Sequence, residues 1–477
     1  MTTLWTAADA LEATHGVTNR DWTATGVSID TRTLQPGDLF VALKDVRDGH
    51  DFVKLAIEKG AAAALVSHRP ADVGPDAPLL VVPDVLAGLE ALGKAARARS
   101  KARIAAITGS VGKTSTKEML RTVLSRQGKC HAAEASYNNH WGVPLTLARM
   151  PADTDFAVIE IGMSNPGEIA PLSRLTRPHV AMVTTVAAAH LAQFDSLDGI
   201  AAEKATIVDG LEEGGIAVIN GDISTSRIVQ ERARTAGAQI VLFGETTGEW
   251  RIKDLRICHD VTVISAGSPG HDYLFKLSVP GRHFALNAVG VLAMVAALGA
   301  DPMAASLDLG LWVPPAGRGT REVVALDPAN EAETLDLIDD AFNANPTSLA
   351  ASLEVIAASQ PRDGVGRIVK GRRIAILGDM LELGPDEVAM HAAMAGNAHL
   401  QQIDLIHCAG PLTKHLWNAL PEGKRGQWMP TSAELAAKAS RLIDAGDVVL
   451  VKGSKGSKIA LVVDAIRKLG HRRQTEL

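Results

Sequence analysis

Lys113 and Thr114 stand directly after Gly112, at the point where a turn gives way to a helix. A short apolar run at 104–107 reads as a buried strand, Gly109 and Gly112 form the turn, and 113–120 reads as the first turns of the helix. Strand, glycine-rich turn, Lys-Thr and helix together form the layout of a phosphate-binding loop. Successive backbone N–H groups in such a turn point at one spot, and the helix N-terminus adds partial positive charge there. Lys113 has the reach to meet outer phosphates, and the Thr114 hydroxyl is a suitable oxygen for Mg²⁺. The full pattern asks for a glycine at position 107, where this chain has Ile107. The plainer alternative is a glycine-rich connection that binds nothing.

Other groups sit where strands are expected to end. Glu160 closes an apolar run at 155–161, so it is either a Mg²⁺ ligand beside Thr114 or an inward carboxylate paired with a structural cation. His190 falls just past a strand expected at 180–186. Lys204, next to Glu203, reads on its own as part of a solvated helix face. Asn138 and Asn139 lie in a polar stretch stopped by Pro144, suited either to a plain loop or to holding a polar ligand. Asp339, Asp340, Asn343 and Asn345 follow one strand and precede a helix, so they either cap it or hold a ribose. The segments 378–384 and 452–457 also follow strands and are expected to face a cleft, whereas Asp30-Thr31-Arg32 reads as a structural turn.

The elements that must position these groups set the architecture. At 477 residues the chain is too long for one ordinary domain. Strands at 26–29, 38–43 and 63–66 and a helix at 52–59 form a first unit over 1–83. A helix at 84–99 leads into an alternating central unit over 84–315, with antiparallel strands added across 250–279 and a helix at 287–298. The prolines and glycines of 312–319 mark a linker. A second doubly wound unit over 316–477 follows, with strands at 334–338, 373–377, 404–408 and 448–451 and helices at 348–358, 432–443 and 457–469. The net charge of −6 with no basic stripe argues against nucleic acid as a partner. Cys130, Cys258 and Cys408 are far apart, without metal-ligand spacing, and fit a reducing compartment. No window is long and apolar enough to insert in a membrane, so a cytoplasmic protein is expected.

Taken together, these motifs resemble the ATP-dependent Mur ligases of peptidoglycan synthesis. Thr108 to Ser115 is similar to that family's own phosphate loop, which also lacks the first glycine. Asn138 to Pro144, Asp340 to Pro346, Gly378 to Gly384 and Val451 to Ser454 resemble the branch that joins D-alanyl-D-alanine to a UDP-N-acetylmuramoyl-tripeptide. The resemblance implies three α/β domains: a small one for the UDP-sugar substrate, a central P-loop ATPase domain with a mostly parallel sheet, and a Rossmann-like C-terminal domain. It implies that Thr108, Gly109, Ser110, Val111, Gly112, Lys113, Thr114 and Ser115 hold ATP phosphates, with Asn287 on the adenine side, Arg318 reaching the phosphates and Asp340 at the ribose. Thr114 and Glu160 would hold one Mg²⁺. His190 and Lys204 would serve a second, with Lys204 carbamylated, against its bland reading as a solvated face. Thr31, Arg32, Asn138, Asn139, Asn343, Asn345 and Lys452 would serve the substrates. A monomer is expected. One departure is His283-Phe284, where the family usually has His-Asn. Two rivals stay open: a sister ligase that adds a single amino acid, and a nucleotide-driven switch protein that hydrolyses without an acceptor.

Overall fold

The computed structural model describes residues 2–472 apart from 189, 190, 195, 328, 329 and 331. Among the described residues three larger sheets, each flanked by helices, give a three-domain α/β architecture, with a two-stranded pair, Trp5–Thr6 and Thr23–Ala24, beside the first. The first sheet runs in the order Val17–Thr18, Leu79–Val81, Ala63–Val66, Asp38–Val41, Gly26–Ser28, parallel except at the Val17–Thr18 edge. Ala63–Val66 is apolar throughout because helices cover both faces there. The indole N–H of Trp5 donates to the Ala148 carbonyl at 2.8 Å, and Arg149 Nε donates to the Val27 carbonyl at 2.6 Å. These two bonds fasten the first unit to the end of the helix Gly142–Ala148 in the central one.

The central sheet has nine strands. Its parallel part runs Gln239–Gly244, Ile216–Asn220, Val180–Val183, Arg103–Thr108, Phe156–Glu160, Cys130–Ala132. Trp250–Ile257 joins Gln239–Gly244 in parallel, and Thr262–Ser268 and His271–Leu277 extend the sheet as antiparallel strands. Arg103–Thr108 lies between Phe156–Glu160 and Val180–Val183, where the strand order changes direction. Its carboxyl end therefore opens on the crevice where ligands bind in such sheets. The helix Arg282–Ala297 starts five residues earlier than expected from the sequence and is apolar nearly all round. It is packed between the sheet and neighbouring helices, in one core with Met182, Phe243 and Trp250.

The third sheet runs Arg425–Met429, Leu405–Ala409, Arg373–Gly378, Val448–Lys452, Thr334–Asp340, Thr320–Ala325, His471–Arg472, with the last two strands antiparallel. The helix expected over 432–443 is two short helices, Ser432–Ala436 and Ala439–Leu442. Both put apolar side chains, Leu435 and Leu442, into the core shared with Val463 and Ile466.

The linker is ordered by what it touches. Trp312 is buried edge-on against Phe284, with ring centroids 5.1 Å apart. Beyond it, Gly319 N–H donates to the Asp339 carbonyl at 2.9 Å and Phe342 N–H to the Gly317 carbonyl at 3.1 Å. A second set of contacts joins the central and last units away from the linker. His259, in the turn after Trp250–Ile257, lies 3.2 Å from Asp336 and accepts a hydrogen bond from Gln360 N–H at 3.0 Å. Arg282 reaches Glu354 at 3.1 Å and Glu245 at 2.8 Å.

Candidate functional site

The phosphate-type loop is built as its sequence demands, and Ile107 has a clear place in it. Ile107 is still in the strand, fully buried, paired with Glu160 on one side and Met182 on the other. An apolar side chain is what that position requires, and because Thr108 is also in the strand the turn begins two residues later than a generic pattern assumes. Gly109 has φ +153°, and a Cβ there would meet Thr184 Oγ1 at 1.9 Å. Gly112 has φ +89°, and a Cβ there would meet the Asn287 side-chain amide at 2.8 Å. Both glycines are dictated by close approach and by backbone conformation. The helix Lys113–Leu124 then starts directly from Gly112.

Neighbouring strand ends hold the loop in shape. Ser110 N–H donates to the Thr185 carbonyl at 2.8 Å, and Thr184 Oγ1 donates to the Val111 carbonyl at 2.6 Å. Asn220, at the end of its own strand, donates to the Thr184 carbonyl at 2.9 Å. Lys113 Nζ donates to the Gly109 carbonyl at 2.5 Å. Burial lowers the Lys113 pKa, with Glu160 opposing the shift and Arg318 adding to it.

Oxygen donors converge beside the loop. Glu160 Oε1 accepts from Thr114 Oγ1 at 3.1 Å and from Asn138 Nδ2 at 2.7 Å. Thr114 Oγ1 is 3.2 Å from Ser136 Oγ, which in turn accepts from Arg318 Nη2 at 3.2 Å. Glu160 Oε2 is buried and has no hydrogen-bond partner among the described residues. A buried carboxylate oxygen with no partner is costly unless something positive meets it. One carboxylate and two hydroxyls are the hard-oxygen set that a small divalent cation takes together with water and phosphate. Among the described residues no three His, Cys, Asp or Glu side chains gather as a metal cluster.

Ser110 to Ser115, Asn138, Asn139 and Glu160 line a cavity of about 480 Å³. Asn287 lines it beside Gly112, and Arg318, Asp340, Asn343, Asn345 and Lys452 close it from the other side. The Arg318 guanidinium carbon lies over the Phe342 ring, 4.1 Å from its centroid. Asp340 accepts from Lys452 Nζ at 2.7 Å and from Ser352 Oγ at 2.5 Å. Asp339 turns the other way, to Arg467 at 3.0 Å, so the two adjacent carboxylates have separate surroundings. Asn345, and neither aspartate, caps the helix Pro346–Ala358 through a reciprocal bond with Ser348.

The remaining expected residues fall outside the cavity lining. Thr108 ends the strand beneath the loop, and Gly109 is packed against Thr184. Lys204 is on the helix Leu197–Ala205 and is 1 % exposed, which overturns the solvated-face reading. Its pKa falls well below the ordinary lysine range, chiefly through burial and then through the charge of Lys113. His190 lies outside the described residues. Thr31 and Arg32 are on the first unit, away from this cavity, where Arg32 forks onto Asp30.

Sequence reasoning missed Ser136, Thr184, Asn220 and Ser352. Asn220 had a usable signal, since like Glu160 it is a polar residue closing an apolar strand. Ser136 had none. Phe284, the departure from His-Asn, is a core residue clamped between Trp312 and His283. Burial pushes the neighbouring His283 imidazole down to about 4, so it is neutral near pH 7.

Comparisons with known proteins agree across the chain. Residues 23–110 match the model for the Mur ligase family catalytic domain, 107–295 that for the Mur ligase middle domain, and 327–455 that for the Mur ligase glutamate ligase domain. The UDP-N-acetylmuramoyl-tripeptide--D-alanyl-D-alanine ligase of Escherichia coli K12 is 35% identical over 453 residues, covering 94% of this chain and 95% of its own. The enzyme of the same name from Bacillus subtilis 168 is 32% identical, covering 92% of each chain. A crystal structure of MurF from Acinetobacter baumannii superposes with a TM-score of 0.81 at 27% identity, covering 97% of this chain and 98% of that one.

Proposed function

The chain belongs to the Mur ligase family, and on that premise we propose that it joins D-alanyl-D-alanine to UDP-N-acetylmuramoyl-tripeptide at the cost of ATP. One observation carries the reading. The phosphate-type loop and Glu160 share a single cavity with Arg318, Asp340 and Lys452 from beyond the linker. A switch protein needs only the first half of that cavity. A ligase that must bring ATP, a carboxylate and an amine together needs both halves.

A carboxylate resists amine attack because its leaving group would be oxide. Transfer of the γ-phosphoryl group to the tripeptide's terminal carboxylate gives an acyl phosphate. The amine of D-alanyl-D-alanine then attacks its carbonyl carbon, and the tetrahedral intermediate expels phosphate to leave an amide. The protein's work is charge neutralisation and alignment. Lys113 and the amides of 108–115 hold the phosphates. Arg318, fixed on Phe342, faces the transferring group, while Asp340 takes the ribose and Asn287 the adenine side. Asn138, Asn139, Asn343, Asn345 and Lys452 hold the incoming peptide ends, and Thr31 and Arg32 hold the UDP-sugar. Thr114 and Glu160, with Ser136 beside them, would hold Mg²⁺, which supplies neutralisation of phosphate charge when bound.

Lys204 fits the carbamate carried by members of the family. Carbon dioxide reacts only with a neutral amine, and burial shifts Lys204 toward that form. The N–C bond would form with loss of a proton, and the resulting carbamate would offer an anionic oxygen to a second Mg²⁺, with His190 as its companion. The three units would divide as 1–83, 84–315 and 316–477. The enzyme would act as a monomer, and the nucleotide substrates point to the cytoplasm. Among the described residues no helix is long and apolar enough to cross a membrane.

The test is phosphate release with UDP-tripeptide and a panel of amines. Release that requires D-alanyl-D-alanine supports the reading. Release that needs a free amino acid, or that proceeds with no acceptor, overturns it.

A further inference from the structure

We propose that Lys117, a residue outside the cavity, is a positioning residue of this site: it clamps the loop 133–138 and thereby sets Ser136 and Asn138 against Thr114, Glu160 and Arg318. The proposal rests on the nucleotide site described above. Lys117 lies on the helix Lys113–Leu124, one turn past the phosphate loop, and is 0 % exposed. A lysine with no contact to water is rare and needs its donors used. Nζ donates to the Ala133 carbonyl at 2.7 Å and to the Ala135 carbonyl at 3.2 Å, and it pairs with Glu118 at 2.8 Å. All three donors are consumed, and two of them go to the backbone of one loop.

That loop needs an external clamp. The strand before it, Cys130–Ala132, is only three residues long, lies at the edge of the sheet, and pairs only with Phe156, Ala157 and Val158. Its neighbour runs on two residues further to Glu160. From 133 onward the sheet ladder no longer guides the chain. Lys117 takes over at 133 and 135, and Gly162 N–H holds the far end by donating to the Asn138 carbonyl at 2.7 Å. The residues fixed between these anchors are those that touch the site: Ser136 against Thr114 and Arg318, and Asn138 against Glu160 Oε1. One helix therefore supplies both the loop residues Lys113 and Thr114 and the clamp that registers the opposing wall to them.

The test uses Lys117→Met, which keeps the length and removes the donors. The first readout is amide hydrogen exchange in the nucleotide-free enzyme. Peptides covering 133–142 should exchange at least about tenfold faster, while the strand Arg103–Thr108 stays protected. The second is steady-state kinetics per folded molecule. The Mg²⁺ concentration for half-maximal rate should rise about tenfold and kcat should fall about 10- to 100-fold, in the range of a misplaced supporting contact. Should Lys117→Met not be recovered folded, Lys117→Gln keeps two N–H donors and must show the same two shifts in smaller measure. Unchanged exchange at 133–142 overturns the clamp. Faster exchange with an unaltered Mg²⁺ requirement and kcat overturns the positioning role, leaving only a structural one. Neither result bears on whether the wild-type enzyme uses ATP, which the amine panel decides on its own.

Discussion

Replacing Arg318 with alanine removes the one guanidinium that spans the cavity from the linker to the phosphate-loop wall. In the structure it makes two contacts that fix its position: the Phe342 face at 4.1 Å and Ser136 Oγ at 3.2 Å. A unit charge about 4 Å from a developing phosphoryl charge, at an effective dielectric constant near 20, is worth about 4 kcal/mol. That corresponds to about 10³-fold in rate. Arg318→Ala should therefore lower kcat by about 10²- to 10³-fold, the range seen when a charge-stabilising donor is removed. Arg318→Lys keeps the charge but loses the fork and the guanidinium contact with the Phe342 ring, each worth about 1 kcal/mol, so a loss of about 30-fold is expected. Stability should barely change, because burial already disfavours the charged guanidinium and lowers its pKa. The assay is single-turnover phosphate release alongside thermal unfolding. An alanine variant that keeps more than about a tenth of the wild-type single-turnover rate would refute the assignment, as would one whose loss is explained by unfolding.

Two further outcomes test other parts of the site and the fold. Lys204→Ala should be nearly inactive, with partial recovery on adding short carboxylic acids; full activity in Lys204→Arg would exclude the carbamate. His407 is buried, accepts a hydrogen bond from Gln427 N–H at 2.8 Å, and has its imidazole pushed down by burial to about 4. Above the ordinary histidine pKa of about 6.5 it is neutral folded and unfolded, so nothing is lost. As pH falls from there toward 4 the unfolded chain takes up the proton first, and stability declines on the order of 1 kcal/mol per pH unit. His407→Gln should flatten that decline in a series of melting temperatures from pH 7.5 to 4.5; an unchanged slope would rule the histidine out.

Much of the architecture was written in local pattern. The apolar runs before Gly109 and Glu160 and the glycine positions are dictated by the strand and turn they form, so the phosphate loop was legible at once. The strands Gln239–Gly244, Thr320–Ala325 and Arg425–Met429 were not anticipated, although the first is apolar and β-branched; the other two mix charge with apolar residues at sheet margins. Lys204 was read locally as solvated because a Glu-Lys pair on a helix looks the same whether or not another element covers it. Its burial is a tertiary fact. Ser136 sits among alanines in a loop, and only the clamp from Lys117 gives it a place. Asp339 and Asp340 are neighbours of one type, and their division of labour follows from strand alternation: one side chain faces Arg467, the other Lys452.

The contacts through His259 and Arg282 have a consequence for traffic through the cavity. The two units flanking it are joined covalently at 312–319 and through Arg318 on Ser136, and along another edge by charged groups that are partly open to solvent, with Arg282, about half exposed, on Glu354 and His259 beside Asp336. Ion pairs of that kind are worth about 0–1 kcal/mol each and weaken as salt screens them. The cleft thus has a fixed edge and an edge closed by contacts of thermal strength. Substrate entry and product escape should then become sensitive to ionic strength through groups that take no part in the chemistry.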